Sequence, residues 1–121
     1  MRILVVDDDK DVREQLRRML KRGDYGQCDV VEIGSLHGAI NKLDECAPFD
    51  CALLDTWLGK RPGGFLVASA CVARNLPFVG MSRDVTMESK WLGCGAVAFL
   101  SKPCSPMELA VAIGKATRPR K

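Results

Sequence analysis

Nowhere does the chain hold an uninterrupted apolar stretch of the ~18 residues that a membrane-spanning helix needs, so no span is expected. No secretory leader is expected either, because Met1-Arg2 runs straight into an apolar strand. Zinc spacing is absent too. The six cysteines, Cys28, Cys46, Cys51, Cys71, Cys94 and Cys104, form no C-x-x-C pair, and the single His37 is remote from each of them in sequence. Several of these cysteines lie in apolar stretches, where the side chain acts as a small hydrophobe. With no leader expected, reduced thiols in the cytoplasm are the better reading. No recognised DNA- or RNA-binding motif accompanies the modest net charge of +3, so direct nucleic-acid binding is not expected. The chain has no internal repeats and no low-complexity segments.

What is present is 121 residues, 47% apolar and 27% charged, a composition suited to one globular domain with a sizeable core. Residues 1–121 read as a single domain, and the basic tail Arg118-Pro119-Arg120-Lys121 reads as a disordered end or a linker stub. Arg17, Arg18, Lys21 and Arg22 fit a solvated helix face.

Apolar runs and helical stripes alternate along the chain. A strand over Arg2–Val6 precedes a helix over Lys10–Arg22, in which Val12, Leu16, Met19 and Leu20 fall on one stripe. Asp9 or Asp11 can serve its amino end and Gly23 can stop it. A strand over Asp29–Ile33 leads to a helix capped by Ser35 that carries Leu36, Ala39, Ile40 and Leu43. The third strand, Cys51-Ala52-Leu53-Leu54, stops on Asp55, and residues 56–64 form a glycine-rich loop. The spacing then predicts a helix over 65–74, a strand over 77–81, a helix over 85–92, a strand over 97–100 and a last helix to about Thr117. Ser105, Pro106 and Glu108 make a capping box with proline at the first helical position. Five such alternations demand a parallel sheet covered on both faces. The predicted fold is a single α/β domain, a doubly wound five-stranded parallel sheet with helices on both faces.

The chemistry gathers where strands end. Asp7 and Asp8 follow the first strand, Asp55 the third, Ser82 the fourth and Lys102 the fifth. In an open parallel sheet these ends share one edge, where ligands bind. Three carboxylates together need a cation, and an oxygen-only ligand set favours Mg²⁺, Mn²⁺ or Ca²⁺ over zinc. Lys102 offers a point charge for a phosphoryl oxygen, and Ser82 offers a hydrogen bond. A carboxylate can itself attack phosphorus. The set reads as a phosphoryl-transfer site with Asp55 as acceptor.

In this order and spacing, Ile3-Leu4-Val5-Val6-Asp7-Asp8-Asp9, Leu53-Leu54-Asp55, the Ser82 hydroxyl and Phe99-Leu100-Ser101-Lys102-Pro103 resemble the receiver domain of two-component response regulators over essentially the whole chain. The resemblance implies the flavodoxin-like strand order 2-1-3-4-5. It implies Mg²⁺ (or Mn²⁺) held by Asp7, Asp8, Asp55 and the backbone carbonyl of Trp57. It also implies phosphorylation of Asp55 by a sensor histidine kinase or phosphotransfer protein, phosphoryl binding by Ser82 and Lys102, and a cis Lys102–Pro103 peptide. Ser82 and Phe99 are the implied switch pair. A changed surface of the fourth helix, fifth strand and fifth helix would then select a downstream protein. The implied chain is a signalling switch rather than an enzyme, cytoplasmic, and a monomer or a phosphorylation-dependent dimer. With no room for an output domain, it would act by protein contact or be a piece of a longer regulator.

Three features depart from that family's pattern. Gly59 stands where proline is usual, and the loop before Gly64-Phe65 is one residue longer. Trp57, two residues after Asp55, is bulky. Arg83, directly after Ser82 and before Asp84, replaces a very small residue. Trp57, Arg83 and Asp84 are therefore expected to modulate the phosphoryl group, and Arg83 can point into the pocket or away from it. Two other readings compete. One is a small phosphatase resembling the haloacid dehalogenases, with Asp7 as nucleophile and Asp9 as acid/base. It lacks the Gly-Thr after Asp9 and room for a cap domain. The other is a degenerate receiver that only binds partners. A flavodoxin is disfavoured, because no Ser/Thr/Gly-rich loop follows the first strand.

Overall fold

The computed structural model describes residues 1–22, 28–45 and 47–117. Gly23, Cys46 and the tail Arg118–Lys121 lie outside the described residues. Five strands, β1 (Arg2–Val6), β2 (Asp29–Ile33), β3 (Cys51–Asp55), β4 (Phe78–Ser82) and β5 (Ala98–Ser101), form one sheet. All pairings are parallel and the order is β2-β1-β3-β4-β5. The helices are α1 (Lys10–Arg22), α2 (Leu36–Leu43), α3 (Gly64–Ala73), α4 (Glu88–Gly93) and α5 (Pro106–Thr117).

Alternate residues of each strand feed opposite faces of the sheet, so two cores form. Ile3, Val5, Leu53, Val79 and Met81 join Leu16 and Leu20 of α1 and Leu109 and Ile113 of α5. Leu4, Val6, Leu54 and Phe78 join Ala39 of α2, Val67 and Cys71 of α3, and Trp91 of α4. Burial pushes the Cys51 and Cys71 thiols up to about 12, so both serve as inert packing groups. No helix among the described residues is long and apolar enough to cross a membrane.

The caps follow from local chemistry. Asp9 Oδ1 accepts from the Asp11 N–H (2.9 Å), and its carbonyl accepts from the Arg13 N–H (3.1 Å), so Asp9 opens α1. Ser35 Oγ accepts from the Gly38 N–H (3.0 Å) and caps α2. Ser105 and Glu108 exchange hydrogen bonds at the start of α5 (2.9 and 3.1 Å).

Several boundaries differ from those predicted. Strand β4 runs one residue further, to Ser82, because Ser82 pairs with Ser101 across the β4–β5 ladder. The predicted helix over 85–92 is instead a 3₁₀ turn, Val85–Met87, followed by the short α4. Asp84 causes the tight start: its Oδ1 accepts from both the N–H (2.9 Å) and the hydroxyl (2.6 Å) of Thr86. These bonds hold the Asp84 carboxyl below the usual carboxylate range. Helix α3 begins at Gly64, where a Cβ would lie 1.8 Å from the Asp55 carbonyl oxygen. Only glycine permits that approach.

Candidate functional site

Strands β1, β3, β4 and β5 deliver their ends to one cleft of about 330 Å³. Asp7, Asp8, Asp55, Trp57, Ser82, Arg83 and Lys102 line it, together with Asp9 and Asp84. Asp7 is fully buried and Asp55 is 6% exposed, an unusual position for two carboxylates. Lys102 makes it tenable. Its Nζ donates to Asp7 Oδ2 (2.8 Å) and to Asp55 Oδ1 (3.0 Å). The Lys102 N–H also donates to the Ser82 carbonyl (2.9 Å), which ties the end of β5 to β4. The Lys102–Pro103 peptide is cis.

One ammonium does not balance the acidic group. Burial, with Asp7 alongside, pushes the Asp55 carboxyl up to about 6 despite the pull of Lys102. Burial works against the Lys102 charge, but its bonds to Asp7 and Asp55 prevail and hold the ammonium above its ordinary value. Asp8 is more exposed than its neighbour, and its Oδ2 accepts from the Gly59 N–H (2.9 Å). Ligand oxygens of Asp7, Asp8 and Asp55 lie within 4.8 Å of one another. That spacing, an all-oxygen donor set and the surplus negative charge fit a hard divalent cation such as Mg²⁺ or Mn²⁺.

Gly59 accounts for one departure noted in the sequence. It sits at φ +69°, and its N–H is the donor to Asp8. Proline has neither that φ nor that hydrogen. The loop closes on itself through the Leu58 N–H to the Arg61 carbonyl (2.9 Å). Trp57 is 47% exposed at the cleft.

Ser82 is buried, and its Oγ accepts from the Asp84 N–H (3.0 Å). The Arg83 side chain is 75% exposed and ends 4.0 Å from Asp9 Oδ2, so it extends across the cleft mouth instead of folding onto Ser82. Phe99 is half-buried against the core beneath α3 and α4. Asp9 lines the cleft but is occupied as the cap of α1 and falls outside the three-carboxylate cluster. The phosphatase reading would have to draw its acid/base from a carboxylate that already caps α1 through Oδ1.

Some supporting residues escaped the sequence reading. Arg13 Nη1 donates to the Asp7 carbonyl (2.6 Å) and fixes the turn that presents Asp7 and Asp8. Glu32 of β2 holds Arg13 (3.5 Å) and Arg17 (2.7 Å). Thr56, fully buried, donates its hydroxyl to the Met81 carbonyl (2.7 Å) and accepts from Trp91 Nε1 (2.8 Å). Gly80 in mid-strand was the available clue to a close approach by a large neighbour.

A doubly wound parallel sheet with an acidic, lysine-closed cleft at its strand ends belongs to the class of α/β domains that bind ligands at the carboxyl edge of the sheet. The response regulator receiver domain model matches residues 3–114, and the chain belongs to that family. It is 32% identical over 120 residues to the phosphate regulon transcriptional regulatory protein PhoB of Klebsiella pneumoniae, a match covering 93% of this chain and 49% of that protein. The chain thus spans about half the length of that relative. Among solved structures, a response regulator from Chloroflexus aurantiacus shares the fold at a TM-score of 0.82 and 23% identity, over 96% of each chain. A response regulator from Burkholderia pseudomallei, solved with a phosphorylated aspartic acid, calcium ion and citrate, has a TM-score of 0.78 at 21% identity. That match covers 95% of this chain and 68% of the other.

Proposed function

We propose that this receiver domain is a phosphoacceptor switch in which Asp55 takes a phosphoryl group from the phosphohistidine of a sensor kinase or phosphotransfer protein. One observation carries the reading. The Asp55 carboxylate shares the Lys102 ammonium with Asp7 and clusters with Asp7 and Asp8 in a cleft open to solvent. In the transfer, an Asp55 oxygen forms the new P–O bond as the P–N bond to the histidine breaks. The bonding pair returns to the imidazole, which takes a proton from solvent. Asp7, Asp8, Asp55 and the Trp57 carbonyl would hold the Mg²⁺ or Mn²⁺. When bound, that ion supplies positive charge against the carboxylates and phosphoryl oxygens. Lys102 and Ser82 receive the phosphoryl oxygens.

The output reading rests on Ser82 turning toward the new phosphoryl group and on half-buried Phe99 following it. The face formed by α4, β5 and α5 would then engage a downstream protein. Among the described residues eight large apolar side chains are exposed, and four of them, Val85, Leu92, Met107 and Val111, belong to α4, to α5 or to the 3₁₀ turn before α4. That concentration is what a protein-binding surface needs. In this reading the domain signals through contact and is not a turnover enzyme.

Acetyl phosphate with Mg²⁺ should add one hydroxylamine-labile phosphoryl group, read by intact mass, and Asp55→Asn should abolish it. Label that persists in Asp55→Asn but disappears in Asp7→Asn would favour the phosphatase chemistry. Arg83 and Trp57 flank the approach to Asp55, so the same label should decay faster after donor removal in Arg83→Ala. Unchanged decay would make Arg83 a surface residue only. A separate titration addresses the ion. Mn²⁺ binding, followed by electron paramagnetic resonance, should weaken by about tenfold in Asp8→Asn. Equal binding by the two proteins would remove Asp8 from the ligand set.

A further inference from the structure

Helix α4 is six residues long, and Trp91 is its only buried residue. The 3₁₀ turn before it, Val85–Met87, buries none. Trp91, fully buried, is therefore the deepest anchor of this segment, alongside half-buried Met87 on the same core and Lys90 Nζ over the Phe65 ring (4.9 Å). The indole ring lies 4.5 Å from Phe65 and 6.2 Å from Phe78, centroid to centroid. It presses directly on the backbone of β4 at Gly80, where a Cβ would stand 2.1 Å from its Cδ2.

The polar end of the same side chain reaches the strand ends. Trp91 Nε1 donates to Thr56 Oγ1 (2.8 Å). The Thr56 hydroxyl donates onward to the Met81 carbonyl (2.7 Å), which also accepts the Thr56 N–H (3.0 Å). Thr56 is the residue after Asp55, and Met81 is the residue before Ser82. A displacement of either strand end must therefore stretch or turn this knot. The hydroxyl is sealed from water, so a lost bond leaves a buried indole N–H without a replacement partner. Such a contact is either made or broken, which suits a two-state element.

We infer that the Trp91–Thr56 hydrogen bond is the connection through which a change at Asp55 and Ser82 reaches α4: it holds α4 down in the unmodified protein and yields when the acceptor is loaded. The loading half of this inference rests on Asp55 being the phosphoryl acceptor; the anchoring half does not. Thr56 and Trp91 are positioning residues, and neither touches the phosphoryl group.

Hydrogen exchange by mass spectrometry on the full chain tests both halves, following peptides that cover 85–94. Without a phosphoryl donor, Thr56→Val should speed exchange in α4 by about tenfold while the strand peptides keep the wild-type rate. Thr56→Ser, which restores the hydroxyl, should stay within about twofold of wild type. Trp91→Phe, which keeps a ring and drops the N–H, should behave like Thr56→Val and serves if that variant folds poorly. Wild-type exchange in α4 of both Thr56→Val and Trp91→Phe would overturn the anchor. Acetyl phosphate and Mg²⁺ are then added, with the labelled fraction read from intact mass. Labelled wild type should exchange faster in α4, and labelling should add little in Thr56→Val. Labelled wild type with unchanged α4 overturns the connection. Failure to label at all counts against Asp55 as acceptor, and the donor-free comparison still decides the anchor.

Discussion

Replacing Asp55 with Asn should raise the thermal midpoint of the metal-free protein by roughly 5–10 °C at pH 8 and leave it almost unchanged near pH 4. The reason is the burial of Asp55 beside Asp7, which lifts its carboxyl from 3.8 to about 6. In the unfolded chain the same group ionises near its ordinary value. Such a rise corresponds to about 2–3 kcal/mol of preference for the protonated form in the fold. The sign follows directly. Below the unfolded value both states are protonated, and an amide and an acid are nearly equivalent. As pH climbs through about 6, the folded protein must hold an anion next to Asp7, and that stability is lost. Asparagine escapes the loss while Lys102 keeps its bond to Asp7. Calorimetry in EDTA from pH 4 to pH 8 makes the comparison. An equal difference at both ends, or a lower midpoint for Asp55→Asn at pH 8, would refute it.

Gly80→Ala should destabilise the domain by about 3 kcal/mol, a large effect for one methyl group. The new Cβ would fall 2.1 Å from Trp91 Cδ2 and 2.2 Å from Cγ, well inside contact distance. The indole has no room to retreat, since Phe65 and Phe78 hold it. A smaller partner should absorb the methyl. Trp91→Leu alone also destabilises, because it empties a packed site. Combined with Gly80→Ala, however, the total should fall short of the sum by at least about 1 kcal/mol. Urea unfolding of the four proteins completes the cycle. Strict additivity would mean that β4 shifts to accommodate the methyl and that the close approach is not limiting.

The elements that could be read from the sequence are those whose signal is local. Strand β1 and helix α1 were legible to the residue, because an apolar run ends abruptly at Asp7 and a clean stripe follows. The α5 capping box was legible for the same reason. Local pattern misjudged the segment after β4, where Asp84 gathers Thr86 and winds a 3₁₀ turn before the helix proper. The candidate site was legible to the extent that strand ends converge by topology: Asp7, Asp55, Ser82 and Lys102 all reach one cleft. Its supports were not legible. Arg13 looks like one more solvated cation of a basic helix until the fold brings the Asp7 carbonyl to it. Thr56 and Trp91 stand 35 positions apart, and only the packing of α4 on β4 joins them.

The Gly59–Asp8 contact bears on how this domain can be recombined with its relatives. A receiver carrying proline after the loop leucine has no amide hydrogen to offer from that side, whereas here the loop's own backbone braces an acidic side chain 51 positions earlier. Loop and carboxylate thus form one structural module split across the chain. A chimera that imports residues 56–64 from a proline-bearing cousin would sever the brace while leaving every acidic residue in place. Its Asp8 would swing freely at the cleft, however intact the motif looks on paper.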